Sequence, residues 1–237
     1  MPLDVLVAHG DSAVHAKRAT STIPIVTVAN ADPVGAGLAA SLARPGGNLT
    51  GLSDQHGDLT TRRIALLRDA LTSASRIGVL YAPDAPMHPP QWRDIQAAAP
   101  ALRITVVGLE ARGPDDFSRV FATIKRERLD ALNVLGGAAG AHRRRLAALA
   151  IEQRVPTIST TKESAEDGFL MSYGANFADL YRRAATFVDR IIKGARPAEL
   201  PIEQPTRFEL VVNLKTAKAI SVTIPPSVLL QADHVIE

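Results

Sequence analysis

Short, almost uninterrupted apolar runs in this chain alternate with longer stretches whose apolar residues recur at helical spacing, and few folds accommodate that alternation. The runs that read as strands are LDVLVA from Leu3, PIVTV from Pro24, RIGVLY from Arg76, RITVVG from Arg103, DALNVL from Asp130, VPTIS from Val155, FLMSY from Phe169 and FELVVN from Phe208. Strands covered on both faces lose the in/out alternation and become nearly continuous Val/Ile/Leu segments. Between them, Phe117, Val120, Phe121 and Ile124 follow an i, i+3, i+4, i+7 stripe behind a candidate cap at Asp115. Phe177, Leu180, Tyr181, Ala184, Val188, Ile191 and Ile192 form a longer stripe that stops at Gly194, with Pro197 beyond. Such stripes are core-facing helix surfaces. Strands and helices taking turns predict an α/β fold with parallel sheets covered by helices on both sides.

The alternation breaks twice in the 237 residues: between Pro45 and Asp58 the apolar period disappears, and ARPAELPIEQPT (195–206) holds three prolines. Both read as connections, which predicts two α/β lobes joined by crossing segments. Residues 1–48 form a partial first lobe, 52–171 the second, 176–196 a return helix to the first, and 200–237 a third crossing with the C-terminal segment. The first block is short for a complete sheet. It is expected to leave an edge strand that could pair with a second copy in a homodimer.

Composition removes several function classes. The formal net charge is +3 and aromatic residues make up 4%, so no nucleic-acid surface is implied, and Arg143, Arg144 and Arg145 read as the solvated face of a helix. Cysteine is absent, and the six histidines show no HxxxH or HExxH spacing, so neither thiolate nor histidine metal sites are expected. No apolar run has the length of a membrane span, and the first residues lack the pattern of a signal peptide. The glycine-rich stretch DPVGAGLAASLARPGGNLTG (32–51) is no phosphate loop. It lacks the lysine of GxxxxGK[ST], and GAGLAA follows Pro33 instead of running directly from strand to helix, so no nucleotide cofactor is expected.

Two catalytic readings have a bland counterpart. Ser12 in VLVAHGDSAV has the Gly-Asp-Ser context of a GDSL-like esterase, but Asp233 and His234 are adjacent and lack the Asp-x-x-His spacing such an enzyme needs. The alternative is that Asp11 or Ser12 caps a helix running toward Thr20. Asp84 and Glu163 could serve as acid and base, or cap helices. What these residues share is position. Ligands of doubly wound sheets sit beyond the carboxyl ends of the strands. Tracing the strands to those ends collects Gly10, Asp11, Ser12, Asn30, Asp32, Pro33, Tyr81, Pro83, Gly136, Thr160, Glu163 and Tyr173. This set offers donors, acceptors, two aromatic rings and bare backbone, and reads as a binding surface.

Three segments add a resemblance: STIPIVTVANADPVGAGLAASLARPGGNLTG, RIGVLYAPDAP, and the stretch from LMSYGANFADLYRRAATFVDRIIKGARPAELP to PPSVL. In kind and order they resemble the substrate-binding proteins of a bacterial ABC-transporter family, whose better-known branch takes up tryptophan and other aromatic amino acids. The resemblance implies a type I periplasmic-binding-protein fold of two Rossmann-like lobes, with a small-molecule ligand held in the cleft between them. It also implies ABC permease subunits as partners and a periplasmic or extracytoplasmic location. PGGNLTG, SYGAN and LPIEQPT match the three crossings, and Asp32 to Leu38 would be a loop and helix start facing the ligand. Helix starts after Gly10 and Asp32 would take a ligand carboxylate, Asp32 or Glu163 an ammonium group, and Tyr81 and Tyr173 a flat ring. Relatives of this kind begin with a leader and two further βα units, so the first lobe is expected to be incomplete here. A ligand-sensing regulatory domain of the same fold is the remaining alternative.

Overall fold

A computed structural model describes residues 3–54 and 56–237. In chain order the elements are β1 (Leu6–His9), α1 (Ser12–Ala19), β2 (Ile25–Asn30), β3 (Leu49–Ser53), α2 (His56–Ala70), β4 (Arg76–Tyr81) and α3 (His88–Ala98). There follow β5 (Thr105–Glu110), α4 (Phe117–Arg126), β6 (Ala131–Val134), α5 (Gly137–Ala141), α6 (Arg143–Glu152), β7 (Thr157–Ser159) and α7 (Lys162–Glu166). The chain ends with β8 (Met171–Ala175), α8 (Phe177–Ile192), β9 (Phe208–Asn213), α9 (Leu214–Ala219), α10 (Pro226–Leu229) and β10 (His234–Ile236). The fold is mixed α/β with parallel sheets, as the alternating periods predict.

The chain divides into two units, one of residues Met1–His56 with Ala175–Arg207, the other of Gly57–Gly174 with Phe208–Glu237. Unit 1 holds a three-stranded sheet, β1-β2-β3, with both pairs parallel. Every residue of β2 and β3 is buried, because α8 packs on both strands. Leu180, Ala184, Phe187 and Ile191 are the buried stripe of that helix, and Asn176 caps it by accepting the Asp179 amide at 3.0 Å. The expected first crossing at residues 45–51 ends instead in a strand: Leu49–Ser53 belongs to the unit 1 sheet. The chain leaves unit 1 only at His56/Gly57. Gly51 makes this possible. Its φ is 132°, and a Cβ there would lie 2.1 Å from the Thr27 carbonyl oxygen, so only a bare backbone can lie so close to β2.

Unit 2 is a seven-stranded sheet in the order β10-β9-β8-β7-β6-β4-β5. One face packs Ile77, Val79, Ala131, Ile158 and Met171 against Ile64, Leu67 and Ile95 from α2 and α3. The other packs Leu80, Leu132 and Val134 against Phe117, Phe121 and Ile124 of α4 and Leu146 of α6. The order reverses at β4, where β5 adds on one side and β6 on the other, which makes the carboxyl ends of β4 and β6 a topological switch point.

Two local expectations change. Asp115 lies in a short 3-10 turn and caps nothing; Asp116 stands before α4, where its carboxylate accepts the Arg112 amide and pairs with Arg119 at 2.8 Å. The arginine run opens α6 and is engaged rather than simply solvated. Arg143 and Arg144 both reach Asp167, at 2.7 and 3.0 Å, and the Arg145 guanidinium lies 5.9 Å from the Phe117 ring centre. Among the described residues no helix is long and apolar enough to cross a membrane.

Candidate ligand-binding site

In unit 1 the paired strands β1 and β2 end side by side. Gly10 turns the chain with φ 53°, its amide donating to Val28 O at 2.8 Å. Asn30 is fully buried, and its Nδ2 donates to Gly10 O at 3.1 Å, tying the two strand ends together. Its Oδ1 is buried without a hydrogen-bond partner. Preceding it, Ala29 adopts φ 55° at a register shift between Thr27 and Asn30. Such a left-handed conformation is disfavoured for a residue with a Cβ and re-aims the strand end. Asn30 therefore holds the Gly10 loop in place from beneath and presents no surface of its own.

The α1 start departs from the expected cap. Asp11 stands in the cap position, but its backbone is already helical (φ −66°, ψ −16°) and its side chain makes no capping bond; capping requires an extended residue there. The Ser12 hydroxyl points backward and donates to His9 O at 2.7 Å. The amide N–H groups of Asp11 and Ser12 consequently have no acceptor among the described residues. Nor does any imidazole or carboxylate among them hydrogen-bond the Ser12 hydroxyl. His9 is engaged by Tyr181, stacked at 5.9 Å with the Tyr181 hydroxyl 3.1 Å from Nδ1, and Phe177 meets its edge. Burial against these rings lowers the His9 pKa, partly offset by Asp11. Asp233 accepts the Leu210 amide within unit 2. The esterase reading finds no base for Ser12.

Asp32 is exposed, and its Oδ1 accepts the Gly35 amide at 2.8 Å. A Cβ on Gly35 would lie 2.0 Å from Asp32 Oδ2, so glycine leaves room for the folded-back carboxylate. The expected helix start over residues 32–38 is only a turn. Leu38 N closes on Pro33 O while Gly37 enters the left-handed region at φ 69°, ending the coil before a second helical turn can form. Pro33 is buried.

In unit 2 the remaining candidates lie in or just after four neighbouring strands. Tyr81 closes β4, its ring stacked on Trp92 at 5.8 Å and its hydroxyl donating to Glu110 at 3.1 Å. Burial, then that hydrogen bond, raises the phenol pKa. Pro83 follows, half-buried. Gly136 ends β6, with its Cβ direction toward Thr160 Oγ1 at 3.7 Å. Thr160 follows β7, and a Cβ on Gly174 of β8 would come within 1.9 Å of its carbonyl oxygen. Tyr173 packs beside Phe208 at 6.3 Å, and Glu163 is exposed in the first turn of α7. Each unit thus collects its own half of the predicted set. Neither Asp32 Oδ2 nor Glu163 has a side-chain partner among the described residues.

Two supporting residues carry no sequence signal. Arg63 of α2 is fully buried and donates to Tyr173 O and Thr60 Oγ1, each at 3.0 Å. Its neighbour Arg62 is exposed, and nothing in TTRRIALLR tells the two apart. His88 accepts the Ala82 amide on Nδ1 at 2.9 Å, fixing the loop after Tyr81.

The family described as ABC transporter substrate binding protein matches residues 2–236. The chain belongs to that family. Among solved structures the chain is similar to a domain from Streptococcus pneumoniae in complex with L-Trp, with TM-score 0.87 and 26% identity over 98% of this chain and 81% of that one. It is also similar to a conserved domain protein from Vibrio cholerae, with TM-score 0.90 and 28% identity over 98% of this chain and 78% of that one. A tyrosine-binding protein of Clostridioides difficile is 26% identical over 88% of this chain, which spans 60% of that relative's length. The fold is that of type I periplasmic binding proteins, and the resemblance to the uptake family stands.

Proposed function

We infer that this protein binds an L-amino acid, with an aromatic side chain the favoured class, as the solute-binding component of an ABC importer working with permease subunits outside the cytoplasm. The observation that carries the reading is the family match over nearly the whole chain, together with relatives described as tyrosine-binding and L-Trp-bound. The chemistry at the strand ends supports it. Open amides at the start of α1 suit a carboxylate, since they are unsatisfied donors at the positive end of a helix. Asp32 and Glu163 are exposed carboxylates suited to an ammonium group. Tyr81 and Tyr173 supply aromatic surface, while Gly10 and Gly136 let a ligand approach bare backbone.

Self-association is the accompanying expectation for assembly. β1 pairs only with β2 among the described residues, and Val7 on it is 51% exposed. Sedimentation velocity showing a monomer at all concentrations removes that part alone.

A thermal-shift panel of amino acids, nucleosides and organic acids tests the solute reading. Stabilisation by L-tyrosine or L-tryptophan, reduced in Glu163→Gln and Tyr173→Ala, is expected. A panel in which only nucleosides or sugars stabilise the protein overturns it.

A further inference from the structure

At the opposite end of the unit 2 sheet, before the strands begin, lies a concavity of about 590 Å³ walled by Ile124, Leu129 and Val155 and rimmed by Lys125, Arg128 and Arg154. Asp130, Glu152 and Gln153 complete the rim. Asp130 is engaged, its carboxylate accepting the Ser75 and Arg76 amides at 2.8 Å. Among the described residues Lys125, Arg128 and Arg154 make no side-chain hydrogen bond or ion pair, and Glu152 is the one unengaged acid beside them.

The backbone beneath the two arginines is informative. Arg128 has φ 52° and Arg154 φ 56°, a region that L-residues adopt only at a cost. Each closes a helix in the same way, Leu129 N reaching Ile124 O after α4 and Val155 N reaching Ala150 O after α6, at 2.9 and 2.8 Å. Glycine is the favoured residue at such a position, and this chain uses it after α7 and α8, at Gly168 and Gly194. Arginine after α4 and α6, like Arg103 after α3 and Ser221 after α9, stands where the turn itself favours glycine. Because β6 and β7 are hydrogen-bonded neighbours, the two turns lead into adjacent strands, whose spacing is about 5 Å. Two long arginine side chains that start from adjacent strands can reach one oxyanion between them. Part of their use is favourable interaction with the helix carboxyl ends, but that needs no concavity and no third cation.

We propose that this concavity is a binding site for a small multivalent oxyanion, separate from the solute site at the other end of the strands. The proposal does not rest on the solute reading. Titration calorimetry of the intact protein at low ionic strength, with inorganic pyrophosphate and with citrate as probes, tests it. Saturable binding of pyrophosphate is expected, weakening as salt is raised and at least about tenfold weaker in the Arg128→Gly/Arg154→Gly variant. That variant keeps a backbone that glycine adopts freely, so it should fold, with thermal unfolding as the check, and its amino-acid isotherm should match that of the parent. Citrate binding equally well assigns the site to multivalent oxyanions at large, and pyrophosphate alone assigns it to phosphates. Absence of saturable heat with both anions overturns the proposal, as does binding unchanged in the variant, which would leave the arginines a helix-end role only.

Discussion

Asn30 offers a sharp separation of stability from binding. Its side chain donates one hydrogen bond to Gly10 O at 3.1 Å and buries Oδ1 with no partner. A net hydrogen bond contributes about 1 kcal/mol, whereas a buried unsatisfied acceptor costs about 1–3 kcal/mol. Asn30→Leu, which keeps the branched heavy-atom skeleton but is bulkier, removes both terms, and Gly10 O keeps the Ala13 amide at 3.2 Å. Unit 1 stability should therefore change by no more than about 2 kcal/mol, or roughly 4–8 °C in Tm for a chain of this size, in either direction. Binding should respond differently. Without the tether the Gly10 loop no longer aims the Asp11 and Ser12 amides, and a misaligned hydrogen bond to a charged group forfeits about 1.5–3 kcal/mol, roughly tenfold to a hundredfold in Kd. Circular dichroism melting and calorimetric titration with L-tyrosine and L-tryptophan measure the two quantities on one preparation. A variant that melts normally and binds with unchanged Kd would refute the reasoning.

Other outcomes follow from single residues. Asn133, fully buried on β6 between Val79 and Ile158 with neither amide atom hydrogen-bonded, should stabilise unit 2 by about 1–3 kcal/mol when changed to Leu, as read from the urea midpoint. Gly174→Ala should destabilise unit 2 by about 1–3 kcal/mol in the same assay, because its Cβ would meet the Thr160 backbone, its carbonyl oxygen at 1.9 Å. The lowered His9 pKa means that the unfolded chain binds this proton first as pH falls. Stability is then lost from about pH 6.5 downward to the depressed native pKa, and His9→Gln should flatten that part of the Tm-versus-pH curve.

Legibility varied with the range of the interaction. The extent of helix α8 was readable because its apolar period and its stop at Gly194 lie within one stretch, but Tyr181 and Ile192 of the expected stripe are exposed and the buried Phe187 falls outside it. β4 and β9 match their predicted spans because buried parallel strands carry their own signature. β3 did not, since LTGLS is polar in sequence and becomes core only through distant partners. The Thr50 hydroxyl donates to Leu200 O at 2.7 Å, and Gly51 lies against β2. The strand-end rule gathered candidate residues from two sheets, but it could not assign their tasks. Tyr81 was read as ligand surface, yet one face of its ring is covered by Trp92, whose place depends on Gly108 of the edge strand leaving space for both rings. Asn30 was read as a contact and is buried. Both facts depend on tertiary packing that no local pattern encodes.

Calorimetric titration of the unmodified protein with L-tyrosine and L-tryptophan addresses the central claim most directly. A saturable isotherm with about one amino acid per chain, competed by the other aromatic amino acid, is the result expected. Flat isotherms for both, from protein shown to be folded by its cooperative melt, would contradict the account.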